Sequence, residues 1–321
     1  MGGDFDVVFG AGALGRATAR ELVARGRKVR MVSRRAGPAP EGVESYSADA
    51  TRPDAVRKAC EGARAVFHMA TPDYTKWAEL YPPIQRGILE GLAGTGAKLV
   101  SAESVYMYGP VDVPMTEALP HVAKTRKGRV RAELARMAMD AHEKGRVRVA
   151  LARAPDFYGP EADVTAIYGE RVFGPALAGK RVDVMGKLDM PHTFIYLRDF
   201  ARGMVVLAEH DEAFGDAWHV PCAPTVTQRE LLTMIFEEAG QPPKLGQAPS
   251  FIFPMLGLFV PIMRELAEML YQWERPYHFN HDKFERAFGK QPVTSHREAV
   301  RETMKWFREH SGKASRSPAG G

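Results

Sequence analysis

The apolar positions of the first 155 residues fall into short runs separated by stretches of helical period. Phe5–Phe9 is an apolar, β-rich run, and over 13–25 the apolar residues Leu14, Ala17, Leu22 and Val23 recur at helical spacing. Lys28–Ser33 reads as a second strand and 43–48 as a third, and Pro53 suits the first turn of the helix that follows. A fourth strand is predicted over 65–70, apolar except for His68, then a helix over 76–93 that Pro82 and Pro83 should break or kink. A fifth strand over 99–102, a long helix over 129–143 closed by Gly145, and a sixth strand over 147–152 complete the series. Repeated strand–helix–strand units imply an α/β fold: a doubly wound, mostly parallel sheet with helices on both faces. Its ligand is expected at the carboxyl ends of the strands.

The later half is less regular. Gly159-Pro160, Gly174-Pro175, Pro221, Pro224 and Pro242-Pro243 punctuate it, and short helices are predicted over 198–210, 227–239, 263–272 and 295–309. No internal repeat is visible. The polar, glycine-rich end, 311–321, is expected to be disordered. The division this suggests is a nucleotide-binding domain over 1–160 with 198–220. A smaller, mainly helical substrate lobe would be built from 161–197 and 221–310.

Between the first strand and the first helix stands Gly10-Ala-Gly12-Ala13-Leu14-Gly15. Glycines alone mean little, but a strand before and a helix after are what a Rossmann dinucleotide turn requires. Gly10 would permit the tight turn, Gly12 a close backbone approach to a pyrophosphate, and Gly15 close packing of the helix on the sheet. Unpaired N–H groups and the partial positive charge of the helix start would face the phosphates. An NAD site usually carries Asp or Glu about 20 residues further on, to bind the ribose hydroxyls. Here the second strand ends Ser33-Arg34-Arg35, with no acid. A hydroxyl and two guanidinium groups suit a 2′-phosphate, so NADP(H) is expected rather than NAD(H). Asp49, followed by Ala50, could accept a hydrogen bond from adenine or could cap the next helix, although Thr51 is the better-placed cap.

Bulk composition narrows the field. The net charge is +5, but it gathers in 124–131 and in the tail rather than in one stripe, so no nucleic-acid partner is expected. Cys60 and Cys222 lie far apart with no metal-ligand spacing, so buried free thiols and no metal site are expected. No signal peptide is recognised, and a reducing, cytoplasmic setting is the expectation. The most apolar stretch, 251–263, is shorter than the about 20 residues that span a bilayer and is interrupted by Pro254 and Pro261. It is expected to line a core or an apolar pocket, with peripheral membrane contact as the lesser alternative.

Four further segments carry a resemblance. They are Val66-Phe67-His68-Met69-Ala70, Ser101-Ala-Glu-Ser104-Val-Tyr106-Met-Tyr108-Gly109, Arg153-Ala-Pro155-Asp156-Phe-Tyr158-Gly159-Pro160, and His192-Thr-Phe-Ile-Tyr196-Leu-Arg-Asp199. In order and spacing, over nearly the whole chain, they resemble the NAD-dependent epimerase/dehydratase family, the extended branch of the short-chain dehydrogenases/reductases. The resemblance implies a cofactor site that adds Met69, Ala70, Thr71 and Pro155 to the glycine turn. It also implies a catalytic serine at Ser104 and, in some members, a homodimer.

Two departures accompany the resemblance. The glycine turn is one residue shorter than the family's Gly-x-x-Gly-x-x-Gly. The family's Tyr-x-x-x-Lys pair, counted back from Ala132-Glu133-Leu134, falls on Thr125 and Arg129, and no tyrosine lies between Tyr108 and Tyr158. A threonine hydroxyl is far too weak an acid to replace a phenol of pKa about 10. Arg129 could hold a ribose but not donate a proton near neutrality. The donor would then be Tyr106, Tyr108, Tyr158, His192 or a water. The segment before the return strand, Asp189-Met190-Pro191-His192, lacks the arginine that holds a sugar nucleotide's diphosphate in the family. Met185, Met190, Phe251, Phe253, Met255, Phe259, Met263, Met269, Tyr271 and Trp273 could line an apolar pocket or form the core of the smaller lobe. The expected function is NADP-dependent reduction or oxidation of a small, rather apolar carbonyl or alcohol compound. The alternative is an NADP(H)-binding isomerase, lyase or redox-sensing regulator.

Overall fold

The computed structural model describes residues 4–162 and 166–310; the tail, 311–321, lies outside the described residues. The chain divides into two compact units. The first comprises Met1–Pro155, Arg198–Pro221 and Phe279–Pro292. Its strands and helices alternate as β1 (Phe5–Phe9), α1 (Ala13–Ala24), β2 (Lys28–Ser33), β3 (Val43–Ser47), α2 (Pro53–Ala59), β4 (Ala63–His68), α3 (Trp77–Leu92), β5 (Lys98–Ser104), α4 (Arg126–Glu143) and β6 (Arg148–Ala154). All strands pair in parallel, in the order β6-β5-β4-β1-β2-β3, with a seventh strand, Ala217–His219, on the outer edge of β6. The doubly wound sheet expected from the alternation is therefore present. The edge strand was not legible: three residues, Ala-Trp-His, are too few to show a period.

The central strands are buried on both faces, Val7, Val8, Val66, Phe67, Leu99 and Val100 all being fully covered. That burial explains why they read as continuous apolar runs rather than alternations. Of the break or kink expected at Pro82 and Pro83, the break does not occur: α3 is continuous from Trp77 to Leu92. Burial of Tyr81, Pro82, Gln85, Ile88 and Leu89 outweighs the two missing backbone donors. Helix α4 starts three residues earlier than expected, because the Thr125 side chain accepts from the Gly128 N–H and caps it.

The second unit comprises Asp156–Leu197, Cys222–His278 and Val293–Gly321. It has its own core of Phe173, Phe194, Leu231, Ile235, Phe236, Met304 and Phe307. Helix Gln228–Ala239 opens with a reciprocal capping box between Thr227 and Glu230 and ends at Gly240 in the left-handed region, φ 69°. The single helix expected over 263–272 is instead two short ones, Pro261–Ala267 and Tyr271–Glu274. Phe279–Pro292, which the sequence places in the smaller lobe, belongs to the first unit. There the Asn280 N–H donates to the Met115 carbonyl and Phe279 stacks on His219 at 4.1 Å.

Candidate dinucleotide site

The turn after β1 is built by its glycines. Gly10 has φ +113°, which L side chains rarely adopt, and its N–H donates to the Val32 carbonyl. A Cβ there would also lie 2.9 Å from the Ala70 nitrogen. Gly15 fits for a different reason than expected: a Cβ would stand 1.8 Å from the Gly10 carbonyl oxygen. The contact that excludes a side chain is thus with the turn itself, not with the sheet. Gly12 is the opposite case, for a Cβ there would meet nothing within 4 Å. Gly12 is also the N-cap of α1, whose start has no side-chain cap and no acid in its first turn. The N–H groups around Ala13 and Leu14 are therefore presented to open space, with the helix dipole behind them. Such a start fits a pyrophosphate in both shape and charge.

The ends of the next strands carry the other residues expected at the site. Ser33 donates its hydroxyl to the Arg35 carbonyl (2.7 Å), and Ser47 donates to the Arg34 carbonyl (3.0 Å). These bonds fix the backbone of the turn and leave the Arg34 and Arg35 side chains exposed. Arg34 is near enough to help hold the Asp49 carboxyl below its ordinary range, after the dominant hydrogen bonds from Thr51. Those bonds, from the Thr51 N–H and hydroxyl to one carboxylate oxygen, hold Asp49 in a local turn ahead of α2. Thr51 is not the cap of α2; Arg52 occupies that position without a side-chain bond. Ala50 is buried, its carbonyl 2.2 Å from where a Cβ on Gly87 would stand, so α3 packs directly on it.

After β4, the Met69 N–H donates to the Phe9 carbonyl and the Ala70 N–H to His68 Nδ1 (3.3 Å). His68 is fully enclosed, and burial pushes its imidazole down to about 3, so it stays neutral and able to accept. Thr71 bonds the Tyr81 hydroxyl (3.1 Å), which in turn accepts from Arg131 (3.0 Å). His68 and Tyr81, which together fix residues 69–71, were missed as supporting residues. The one visible signal was His68 itself, the only polar residue in its apolar run.

At the end of β5, Ser104 has a buried hydroxyl with no hydrogen-bond partner in the structure. The one-turn helix Tyr106–Tyr108 that follows packs on the start of α4. A Cβ on Gly128 would lie 2.7 Å from the Tyr106 carbonyl and 2.8 Å from the Thr125 hydroxyl. Gly128 therefore makes room for this turn. Pro155, which follows β6, is buried. Arg129 is exposed and donates to the Lys124 carbonyl (2.5 Å).

The two tyrosines beside Ser104 differ sharply. Tyr106 is half-buried, its ring stacked on Trp77 at 6.2 Å. Tyr108 is fully buried, accepts from Arg153 (2.7 Å), and pairs with His219 Nε2 (2.9 Å). His219 Nδ1 faces the Asn280 carbonyl (2.7 Å) and so must carry the proton, which makes Tyr108 the donor to Nε2. Burial drives the Tyr108 hydroxyl up to about 12 and His219 down to about 3. Tyr108 is thus a structural group, with its proton committed inside the core.

In the second unit, Tyr158 is buried with its hydroxyl on His296 Nδ1 (2.9 Å). His192 is also buried, stacked on Trp273 at 3.9 Å and Tyr277 at 4.5 Å. Its Nε2 meets the Asp156 carboxylate (2.9 Å) and its Nδ1 the Gln272 carbonyl (3.2 Å). Both ring nitrogens face acceptors, which leaves neither to protonate a substrate. Among the apolar residues expected to line a pocket, Phe253, Met269 and Trp273 are buried, whereas Phe251, Met255 and Phe259 are exposed. Among the described residues, no group of His, Cys, Asp or Glu is arranged to hold a metal ion, and no helix is long and apolar enough to cross a membrane.

No curated protein matches the sequence. Among solved structures, MoeE5 in complex with UDP-glucose and NAD superposes with a TM-score of 0.78 at 20% identity, covering 96% of this chain and 99% of that one. A dTDP-glucose 4,6-dehydratase from Bacillus anthracis in complex with NAD gives 0.79 at 14% identity, with 96% and 98% covered. An epimerase from Methanothermobacter thermautotrophicus gives 0.81 at 18% identity, with 98% and 95% covered. Residues 7–220 match the model of the NAD dependent epimerase/dehydratase family. With a match over that span, on a seven-stranded parallel sheet with a dinucleotide turn, the chain belongs to the NAD-dependent epimerase/dehydratase family of enzymes.

Proposed function

We propose that this enzyme is an NADP(H)-dependent oxidoreductase acting on a small, rather apolar carbonyl or alcohol compound, with a proton donor other than the family's tyrosine. The observation that carries the reading is the uncapped, acid-free start of α1 at Gly12, open to solvent where a pyrophosphate would lie. Arg34 and Arg35, exposed on a turn fixed by Ser33 and Ser47, favour a 2′-phosphate over bare ribose hydroxyls. When bound, the dinucleotide supplies or accepts a hydride.

The unpartnered Ser104 hydroxyl is available to donate to a substrate oxygen. Tyr106 is the best-placed acid, being half-buried on the turn that lies against Thr125 and Gly128. A substrate other than a sugar nucleotide is supported by Arg229, which meets the 189–192 segment at Asp189 and is clamped there by both carboxylate oxygens (2.6 and 2.8 Å). Cys60 and Cys222, both buried, suit the reducing cytosolic setting expected from the sequence.

Two substitutions test the reading. Arg34→Ala should weaken NADPH binding about tenfold or more, the worth of one charge-assisted bond. NADH binding should change less than about twofold, within ordinary surface effects; equal loss of both would remove the 2′-phosphate assignment. Tyr106→Phe should lower kcat about 10²-fold with NADPH affinity unchanged, the usual cost of losing a general acid. Undiminished turnover would exclude Tyr106. One observation favours a second reading, a dinucleotide-binding protein without hydride transfer: Thr125 is consumed as a helix cap. Following reduced-nicotinamide absorbance over a panel of carbonyl compounds separates the two, since tight NADPH binding with no consumption on any of them supports the second.

A further inference from the structure

Among the described residues, six of the nine exposed large apolar side chains lie within ten residues of the second unit: Phe251, Met255, Leu256, Leu258, Phe259 and Val260. Leu258 is 79% and Phe259 84% exposed. They sit on a helical hairpin, Ile252–Leu256 and Pro261–Ala267. Its arms touch at Gly257, where a Cβ would come within 2.9 Å of the Arg264 Cα. Leu258, Phe259 and Val260 form the connection beyond that contact.

Three properties identify what covers this tip. First, Met255 and Leu256 at the end of the first arm and Leu258, Phe259 and Val260 in the connection are all exposed, so the apolar surface is the whole tip rather than one helix face. A protein partner covers one face, whereas an apolar phase covers the whole tip. Second, the tip's backbone donors are already used internally: Gly257 to Phe253, Leu258 to Met255, Phe259 to Leu256 and Val260 to Leu256. The next residue is Pro261, with no N–H to satisfy. A segment with its N–H groups satisfied loses fewer hydrogen bonds on leaving water. Third, no charged residue or histidine occurs between Lys244 and Arg264, and Arg264, on the second arm, is exposed. A cation beside an apolar tip matches the phosphate level of a lipid surface.

We infer that the 251–260 hairpin is a wedge that docks the protein on a lipid surface by inserting Leu258 and Phe259 into one leaflet. The hairpin's helices are of five and seven residues, so it enters without crossing. The inference is independent of the proposed reaction.

The full chain would be floated with phosphatidylcholine vesicles, with and without phosphatidylglycerol. The wild type should rise with the vesicles, more so when the anionic lipid is present. Leu258→Asp/Phe259→Asp should reduce the bound fraction about tenfold or more, as charge replaces inserted apolar surface. It should leave the melting temperature and NADPH binding as they are. Should that variant fail to fold, Phe259→Trp provides the readout: its added emission should shift to shorter wavelength and lose iodide quenching when vesicles are present. A wild type that stays in the aqueous fraction with both vesicle types overturns the inference. So does a dimer in lipid-free solution that the double aspartate variant dissolves, for then a second copy covers the tip.

Discussion

Gly15→Ala is expected to abolish dinucleotide binding and destabilise the fold, whereas Gly12→Ala is expected to abolish binding and leave the fold intact. Both changes add one methyl group to the same turn. At Gly15 that methyl would stand 1.8 Å from the Gly10 carbonyl oxygen and 2.9 Å from its carbon. Both are backbone atoms, so no side-chain rotation relieves the clash. The turn or the helix start must move, at a cost of about 3 kcal/mol or more, the upper end of overpacking. Gly12 has φ −75° and ψ −176°, ordinary extended backbone, and open space around it. Alanine is tolerated there to within about 0.5 kcal/mol, but its methyl enters the volume a pyrophosphate needs. Thermal melts and NADPH titrations of the two variants check this. A Gly12→Ala protein that binds as the wild type does would place the dinucleotide elsewhere.

The second large effect is expected from Glu103. Its carboxylate accepts from Arg153 Nε at 3.0 Å, and both side chains are only 3% exposed. Arg153 also donates to Tyr108 and contacts His121, so one guanidinium holds together the ends of β5, β6 and the turn at Tyr106–Tyr108. Glu103→Ala leaves a buried guanidinium without its counter-charge and should cost about 3–5 kcal/mol in denaturant unfolding. The double change Glu103→Leu/Arg153→Met should cost less than Glu103→Ala alone, because no isolated charge remains. A loss below about 1 kcal/mol for Glu103→Ala, the range of a surface pair, would show that water reaches the pair.

Much of the first unit was legible because its information is local. Apolar runs, Pro53 at a helix start and the spacing of Gly10, Gly12 and Gly15 each act within a few residues. What stayed hidden depends on contacts distant in sequence. Tyr106 and Tyr108 look equivalent along the chain, yet Arg153 and His219, 45 and 111 residues away from Tyr108, lock its phenol into the core. Along the chain His192 suits a pocket acid and a structural histidine equally, and Asp156 with the Gln272 carbonyl, which take both nitrogens, decide for the structural role. The stretch 251–263 has the composition of a core helix, and only the fold shows most of its bulk facing solvent. Helix α3 ran through two prolines because burial, which periodicity cannot weigh, decided the outcome.

The central claim is that the turn at Gly10–Gly15 and the arginines after β2 together select NADP(H). It is tested most directly by titrating the protein with NADPH and with NADH under one set of conditions. The account predicts that NADPH binds at least about tenfold more tightly, through the charge-assisted bonds its extra phosphate makes. NADH binding as tightly as NADPH, or more tightly, would contradict it.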